Sequence, residues 1–545
     1  MMLHIAQLET RIRAAMQEAK VPGLALSIVA DGELHYAAGF GTTSVEDGGQ
    51  AVTPATVFRI GSTSKPIAAI VILRLVDEGL LDLDVPICEI LPDFQLSERG
   101  AVDHINLRLL LSHQSGLPSA ANYLGSREAS EFRRLIYEVL PEFPVLAPPG
   151  ELWSYSNPGI DLAAFVASTV TGESYAELAQ RLLFEPLGLK RTTLDPLVAA
   201  SYPFAQSHYT DEAGELRVWH RIADNVLHHA SGFAFSTALD MARWAQFMLQ
   251  GGSWQGERLL SAASLAAMQG PEVSFPGLTV GGYGFGLLMV EHQGIRRYLH
   301  PGRIDGYAHY WSYLPEHKAA VTLQCNHATH WAPHEESLAR EIFRQLLDLP
   351  DETRRFPSAT VPKTQLQRLV GRYAANPLGL LELREEGGQL IATLNGEQHR
   401  LKVANDTLFY AAIEGEPIPL QIHAPADENG AHPQVSVIRQ FPMPQTFRRL
   451  RIAAEEASPV ARWSIYEGTY RNDRELLEVT LEETDSQPQL TVRHPLFGAK
   501  PIPAKPIGAH RFLLPTGVLE FEPDESGDCR AVRVGFSLVF VRQAT

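Results

Sequence analysis

The hydrophobic positions near the N-terminus predict a helix followed by a β-hairpin. Apolar residues spaced three and four apart mark one face of an amphipathic helix. They are Ile5, Leu8, Ile12 and Met16. Residues 21–34 then contain two apolar runs separated by an Asp-Gly pair, which is typical of a tight turn between two strands.

The chain from residue 60 to residue 325 changes from helical periodicity back to strands. Residues 64–79 are predicted to be a helix with a largely apolar face and a glycine at its end. Residues 158–182 and 237–250 are predicted to be further helices, and residues 285–290 and 319–325 to be strands. Strands at both ends with helices between them predict one sheet that is built from both ends of this region and covered by helices.

Around residue 350 the pattern changes again. Residues 350–357 are polar and flanked by prolines, as in a linker. Beyond them, short alternating runs such as residues 389–394 predict an antiparallel barrel or sandwich, and a polar stretch at 453–459 divides this region in two. The predicted domains are residues 1–350, 351–455 and 456–545.

The two parts beyond residue 350 form a weak internal repeat. One opens with Gly371-Arg372-Tyr373 and the other with Gly468-Thr469-Tyr470, and an acidic, leucine-bearing strand follows each. Each part has the length of one small β-barrel. Duplication of one barrel domain explains this better than a chance likeness of two β-rich segments.

Charge and cysteine content narrow the class of protein. With 46 Lys and Arg against 63 Asp and Glu, the net charge is −17, which argues against nucleic acid or an anionic membrane surface as a partner. The three cysteines have no metal-ligand spacing. No basic segment followed by an apolar run opens the chain, so we expect a cytoplasmic protein with reduced thiols.

The first motif with chemical potential is Ser62-Thr63-Ser64-Lys65, at the start of the predicted helix. Positions i and i+3 share a helix face, so Lys65 is expected to lie against Ser62. Burial lowers a lysine pKa, and a neutral amine can help to take the serine proton. The alternative is a serine that caps the helix, followed by a solvated lysine.

Two later motifs supply further polar groups. Tyr155 can carry protons and Asn157 can hold a substrate amide, although Tyr-x-Asn alone is more often an ordinary aromatic turn. His300 can join the network of Lys65 and Tyr155, and Gly302 would let a substrate backbone pass close to a strand. A simple turn histidine is the alternative.

Together, these motifs resemble the active-site elements of the penicillin-binding-protein and class C β-lactamase type of serine hydrolase. Framework segments agree with this resemblance: residues 109–118, 186–189, 236–240 and 283–286. The resemblance implies an α+β catalytic domain with an antiparallel sheet covered by helices and an additional helical region. It also implies that Ser62 is the nucleophile, Lys65 its activator and Tyr155 the general base and acid. Asn157 would position the substrate, and the backbone N–H groups of Ser62 and Arg303 would form the oxyanion hole.

The sequence departs from this family in two places. His300 replaces the usual lysine of the third motif, which weakens any expectation of penicillin turnover. Arg303 stands where relatives often carry a small residue. Its guanidinium can bind a substrate carboxylate in a bidentate manner. Equally, it can point to solvent or pair with Asp305, and we favour one of these two ordinary roles over substrate binding.

A metal site is a weaker hypothesis. His327, His330 and His334 have spacings that suit a helix face, but they follow a predicted strand, include a proline between them and lack an evident carboxylate or cysteine partner. The resembling family needs no metal. The sequence therefore predicts neither a metal nor a cofactor.

The two barrel domains and the absence of an export signal resemble bacterial D-aminopeptidases, whose barrels are lipocalin-like. The expected function is D-stereospecific aminopeptidase or amidase activity on a small peptide, amide or ester substrate, and a homodimer stays open. A carboxylesterase and a peptidase or cyclase for linear non-ribosomal peptides are the alternatives, and an inactive binding protein is the alternative from another class. The resemblance also implies that residues 494–500 reach the cleft, where Phe497 would wall the pocket. Otherwise this loop packs on the neighbouring barrel.

Overall fold

The structure is a computed structural model, and it describes most of the first 350 residues. The described ranges are 3–96, 100–118, 127–142, 145–211, 213–220, 222, 224–275, 281–292, 294–350, 359–375, 380–394, 397–404 and the later strands given below. The helices are α1 (Ile5–Glu18), α2 (Ser64–Asp77), α3 (Leu107–Leu111), α4 (Ala129–Arg134), α5 (Asn157–Thr171), α6 (Tyr175–Ala179), α7 (Glu185–Leu187), α8 (Pro196–Ala200), α9 (His229–Gly232), α10 (Ala238–Leu249), α11 (Ala262–Gln269), α12 (Ala332–Leu346) and α13 (Lys363–Leu369).

The strands up to residue 325 include one eight-stranded antiparallel sheet. The strands are β1 (Gly23–Ala30), β2 (Glu33–Gly41), β3 (Phe58–Arg59), β4 (His208–Thr210), β5 (Leu216–Val218), β6 (Phe235–Ser236), β7 (Ser253–Trp254), β8 (Glu257–Arg258), β9 (Val273–Ser274), β10 (Gly282–Tyr283), β11 (Leu288–His292), β12 (Ile295–Ile304), β13 (Tyr307–Leu314) and β14 (Ala319–Cys325). The order in the sheet is β2-β1-β14-β13-β12-β11-β10-β9.

Both ends of the region before residue 350 contribute to this sheet, as the hydrophobic pattern predicts. The N-terminal hairpin joins β14, with Leu26 opposite Leu323. All eight residues of β1 are buried, because α1 and α12 pack on one face of the sheet and α10 on the other. The α10 helix meets the sheet through the stacked rings of Trp244 and Trp311, whose centroids are 3.9 Å apart.

Helix α2 lies in the middle of the molecule. The segment from Ser64 to Leu73 is buried throughout, so the helix packs on all sides and not on one apolar face alone. It ends as predicted, with Gly79 in the left-handed region at φ 71°. A central, buried helix fixes the position of whatever residues lie at its N-terminus.

Two predicted elements have different bounds. The helix expected over residues 158–182 is two helices, because Gly172 takes φ 75° and Ser174 caps α6 with a capping box. The strand expected from residue 285 begins at Leu288. Gly286 has φ 67° there, and a Cβ on it would come within 2.9 Å of the Lys65 backbone, so this segment turns towards α2 and does not extend the sheet.

The region beyond residue 350 consists of α13 and sixteen described strands. They are β15 (Gly371–Ala375), β16 (Leu380–Glu386), β17 (Gln389–Leu394), β18 (Glu397–Val403), β19 (Leu408–Ala411), β20 (Leu420–His423), β21 (Gln434–Arg439), β22 (Phe441–Arg449), β23 (Gly468–Arg471), β24 (Leu476–Glu483), β25 (Pro488–Arg493), β26 (Ile502–Gly508), β27 (Arg511–Leu514), β28 (Gly517–Pro523), β29 (Cys529–Val534) and β30 (Leu538–Arg542). Strands β15–β22 pair in chain order into one closed ring, and β23–β30 pair into a second.

The two rings begin in the same way. Tyr373 in β15 lies opposite Leu381 and, across the closure of the ring, opposite Arg449. Tyr470 in β23 lies opposite Leu477 and Arg542 in the same relation. This shared register supports the internal repeat. None of the helices in the described ranges combines the length and the apolar character needed to cross a membrane.

Candidate active site

Ser62 lies in a single 3₁₀ turn, Gly61–Thr63, that leads directly into α2. Two hydrogen bonds tie this turn to its surroundings: the Thr63 hydroxyl donates to the His300 carbonyl at 3.0 Å, and the Ser64 hydroxyl donates to the Gly61 carbonyl at 2.8 Å. The serine is therefore held between the N-terminus of α2 and strand β12.

Lys65 is fully buried one helical turn after Ser62. Its amine donates to Ser62 Oγ at 3.2 Å, to Asn157 Oδ1 at 2.7 Å and to the Ser231 carbonyl at 2.6 Å. Burial lowers the pKa of Lys65 to about 7, and the negative charge of Asp161 opposes this shift. The solvated lysine that the motif alone left open is therefore excluded, and a neutral amine is accessible near pH 7.

Tyr155 lies beside this pair. The Lys65 amine is 4.6 Å from the centroid of the tyrosine ring. Burial raises the pKa of Tyr155, while a hydrogen bond with Ser62 lowers it by a smaller amount. The phenol is therefore strongly favoured over the phenolate, which makes Tyr155 a proton donor in the unliganded site.

Asn157 begins α5, and the preceding serine caps that helix. Ser156 Oγ accepts a hydrogen bond from the Gly159 N–H at 3.1 Å. The cap fixes the first turn of α5 and thereby the Asn157 amide, whose oxygen is bound by Lys65. Asn157 therefore acts on the lysine directly, in addition to the substrate contact that the resemblance implies.

His300 lies beside Tyr155, with ring centroids 6.4 Å apart, and belongs to a chain of polar contacts with Tyr283 and His113. The Ser156 N–H donates to His113 Nδ1 at 3.2 Å, so the proton of this neutral ring is on Nε2, which lies 3.0 Å from the Tyr283 hydroxyl. That hydroxyl is 3.4 Å from His300 Nε2, and His300 Nδ1 donates to the Pro301 carbonyl at 2.7 Å. Burial lowers the pKa of both histidines, that of His300 to about 3, so the whole relay is neutral.

Gly302 lies against the Ser62 turn, and its contact with a substrate backbone stays a prediction. Its open side faces the protein's own backbone: a Cβ there would lie 1.9 Å from the Ile60 carbonyl oxygen and 3.1 Å from the Ser62 nitrogen. The glycine therefore lets β12 approach the Ser62 turn. A Cβ on Gly61 would likewise lie 2.6 Å from the Arg303 nitrogen.

This close approach brings the two predicted oxyanion-hole donors together. The pairing of β12 with β11 ends at Leu299, and residues 300–304 pair with β13 alone. The Arg303 nitrogen in this part of β12 lies close to Gly61 of the Ser62 turn. Backbone donors of this kind stabilise the negative oxygen of a tetrahedral intermediate.

The Arg303 side chain has partners within the protein, and Asp305 is not one of them. Asp305 pairs with Arg59 at 3.4 Å, whereas Arg303 forms an ion pair with the buried Glu335 and donates to the Gly302 carbonyl at 2.9 Å. Only 27% of the arginine side chain is exposed. Burial raises the pKa of Glu335 to about 7 despite the arginine charge. The guanidinium is thus engaged within the protein.

The remaining candidates are the loop at residues 494–500 and the histidines His327, His330 and His334. Phe497 and residues 494–500 lie outside the described residues. His327 contacts the Thr210 hydroxyl at 3.2 Å, and His334 packs on Trp331 with ring centroids 5.6 Å apart. Within the described ranges, no group of three or more His, Cys, Asp or Glu side chains is arranged to hold a metal ion.

Sequence reasoning missed five side chains that organise the site: His113, Asp161, Ser231, Tyr283 and Glu335. His113 and Tyr283 lie in two of the segments that carry the family resemblance. Asking which side chains in those segments can donate or accept a proton would have found them. Asp161 lies one helical turn after Asn157, which is a signal in the spacing. Ser231 acts through its carbonyl, which leaves no signal in the sequence.

The sheet with its covering helices and the serine–lysine–tyrosine arrangement define a class, the serine hydrolases with a β-lactamase fold. The chain belongs to the β-lactamase family: residues 8–346 match the family model described as Beta-lactamase. Members of this family are serine hydrolases that act on amides, esters or peptides, and the chain is such an enzyme.

Individual relatives agree with this assignment. Penicillin-binding protein 4 of Amycolatopsis lactamdurans is 28% identical over 350 residues, which cover 63% of this chain and 89% of that protein. An unguisins hydrolase of Aspergillus violaceofuscus is 27% identical over 348 residues, covering 58% of this chain and 60% of the relative. The crystal structure of SurE with D-Leu matches with a TM-score of 0.62 and 24% identity, over 82% of this chain and 99% of that one.

Proposed function

We propose that this chain is a D-stereospecific aminopeptidase or amidase that works through an acyl-Ser62 intermediate. The observation that carries the acyl-enzyme chemistry is the buried Lys65 amine, with a pKa of about 7, at 3.2 Å from Ser62 Oγ. A base with a pKa near the working pH combines availability of the neutral form with sufficient basicity.

In the proposed reaction, Lys65 takes the proton of Ser62 as Oγ attacks the carbonyl carbon of the substrate. The backbone N–H groups of Ser62 and Arg303 receive the negative oxygen. When the intermediate collapses, the C–N bond breaks and Tyr155 donates a proton to the leaving amine, while Lys65 resupplies the phenol. Water then attacks the acyl-serine, with the same groups accepting its proton and returning one to Ser62 Oγ. The base role that the resemblance implied for Tyr155 passes to Lys65 in this proposal, because burial disfavours the phenolate.

Two observations support a substrate with a D-residue. The D-aminopeptidase resemblance rests on a catalytic domain with His300 in the third motif, followed by two barrel regions. The SurE structure with D-Leu covers 82% of this chain, which is more than the catalytic region alone. We accordingly propose three domains, residues 1–350, 351–455 and 456–545, of which the last two are lipocalin-like barrels.

A peptidase or cyclase that processes linear non-ribosomal peptides is the second candidate. It is favoured by the relative named as an unguisins hydrolase, which is 27% identical over 348 residues. The acyl-enzyme chemistry is the same for both candidates, and only the pocket that selects the acyl group and the nucleophile differs.

A substrate panel separates these functions. It compares D-alanine p-nitroanilide and D-peptide amides with their L-forms, with short acyl esters and with nitrocefin. We expect D-amides or D-peptides to be the best substrates, with some ester turnover because an ester is the easier acyl donor. A clear preference for L-substrates, or for esters alone, would contradict the proposed specificity.

The Ser62→Ala variant is the control for the whole panel. It should be folded, with a stability cost of about 1 kcal/mol at a helix start, and it should lose both turnover and labelling by a fluorophosphonate. Activity retained by this variant would overturn the acyl-serine mechanism. The cytoplasmic location and the homodimer remain predictions, and size-exclusion chromatography with light scattering tests the latter.

A further inference from the structure

Asp161 is a buried carboxylate that the proposed reaction does not use. It lies on α5 one helical turn after Asn157 and has no exposed surface. Its Oδ1 accepts the Ser231 N–H at 3.1 Å, and its Oδ2 accepts the Ser231 hydroxyl at 3.0 Å and the His228 Nδ1–H at 2.7 Å. A buried charge needs such partners, and three donors converge on this one.

The hydrogen bonds of Asp161 lead directly to the Lys65 amine. Ser231, which Asp161 holds through both its N–H and its hydroxyl, binds the amine through its carbonyl at 2.6 Å. Asn157, on the same helix as Asp161, binds the amine through its side-chain oxygen at 2.7 Å. Two of the three oxygens that bind the Lys65 amine, those of Ser231 and Asn157, therefore lie on the two segments that Asp161 joins by hydrogen bonds.

Asp161 also supplies the negative charge that this buried region needs when the amine becomes an ammonium. The other ionisable side chains facing the amine are Tyr155, His113 and His300. Burial keeps both histidines neutral and favours the neutral phenol. His228, which contacts Asp161 from the other side, donates a hydrogen bond to it.

We propose that Asp161 is a positioning residue for the reaction: through Ser231 it fixes the Lys65 amine against Ser62, and it stabilises the ammonium that forms when Lys65 takes the serine proton. This inference rests on the acyl-serine function proposed above. It predicts two effects of removing the charge that go in opposite directions. The ammonium of the transition state loses stabilisation, so kcat falls, and the resting amine becomes harder to protonate, so activity persists to lower pH.

The test compares Asp161→Asn with Ser231→Ala in the full-length chain. Asparagine keeps the shape and removes the charge, whereas Ser231→Ala removes one hydrogen bond to Asp161 and keeps both the charge and the carbonyl. The measurements are kcat and KM for a p-nitrophenyl acyl ester from pH 5 to pH 10 and the pH dependence of fluorophosphonate labelling of Ser62. Thermal denaturation followed by circular dichroism shows whether each variant is folded.

For Asp161→Asn we expect kcat to fall by about tenfold to a hundredfold at the alkaline plateau, with KM within about twofold of wild type, since proton transfer and not substrate binding is affected. The acidic limb of the profile should move down by about one pH unit or more, since each pKa unit corresponds to a tenfold change in proton affinity. For Ser231→Ala the limb should stay where it is in the wild type.

Asp161→Glu is the second variant in case asparagine prevents folding: it keeps the charge and displaces it, so kcat should fall without movement of the limb. The role of Asp161 would be overturned if Asp161→Asn had the kcat and the acidic limb of the pH profile of the wild type. It would also be overturned if the acidic limb shifted equally in Ser231→Ala. Activity of the Ser62→Ala variant would instead overturn the acyl-serine function, so the two failures are distinguishable.

Discussion

The contact between Gly302 and the Ser62 turn makes a sharp prediction, because replacing this glycine with alanine adds only one methyl group. The backbone of Gly302 is outside the positive-φ region, so alanine brings no conformational strain there. Its Cβ would, however, lie 1.9 Å from the Ile60 carbonyl oxygen, and real Cβ atoms essentially never have a neighbour within 3.0 Å. Strand β12 and the Ser62 turn must therefore separate by at least about 1 Å, and forced overpacking of this kind costs about 1–3 kcal/mol.

This separation falls between the two predicted oxyanion-hole donors, one on the Ser62 turn and one on Arg303. A misplacement of about 1 Å in a catalytic constellation lowers the rate by about a hundredfold. We therefore expect Gly302→Ala to lower kcat/KM by about this factor and to reduce the melting temperature. The assay is hydrolysis of a p-nitrophenyl ester, with circular dichroism to follow thermal denaturation.

Gly281→Ala is the matched control. Its Cβ would meet Met289 atoms at 3.6 and 3.7 Å, which is ordinary contact, so activity and stability should stay close to wild type. If Gly302→Ala were as active and as stable as this control, the close approach of β12 to the Ser62 turn would be wrong, and with it the predicted oxyanion hole.

Four further results are expected. Because burial lowers the pKa of Lys65 to about 7, kcat/KM should rise with pH and reach half its plateau near pH 7; an optimum below pH 5 would contradict this base. This folded-state pKa lies below the unfolded value of 10.5, so the unfolded chain binds more protons than the folded one between about pH 7 and 10.5. The free energy of unfolding should therefore increase with pH in that window. The increase should be smaller in an inactive Lys65→Met variant. Incubation with EDTA should leave activity unchanged, and a loss that zinc restores would revive the site at His327, His330 and His334. Deletion of residues 494–500, with Phe497, should raise activity on N-acylated or longer substrates and lower aminopeptidase activity; unchanged kinetics in a folded variant would place this loop away from the cleft.

The elements that depend on local pattern could be read from the sequence. The helix at the N-terminus, the first hairpin, helix α2 and strand β14 follow from apolar periodicity and from turn residues, and the structure has them close to the predicted bounds. The helix predicted over residues 158–182 failed because Gly172 and Ser174 together end one helix and begin the next, a local signal that the apolar periodicity masked.

The sequence also indicated which residues of the three motifs carry the chemistry, although it did not give their contacts. Ser62 and Lys65 share a helix face by their spacing alone, and Asn157 follows Tyr155 in a motif that the family resemblance makes meaningful. The direction of the lysine pKa followed from the assumption of burial, which is a statement about the physical chemistry of an amine and needs no coordinates.

Only the tertiary structure decided how these groups act on one another. The partner of Arg303 is Glu335 and not the nearby Asp305, because strand β12 turns this side chain towards helix α12. Gly302 faces the Ile60 carbonyl, which precedes the Ser62 turn, and the Ser231 carbonyl reaches the Lys65 amine, from positions 242 and 166 residues away along the chain. Such contacts depend on packing between distant segments, and main-chain groups that make them are the same at every position, so the sequence carries no local signal for them.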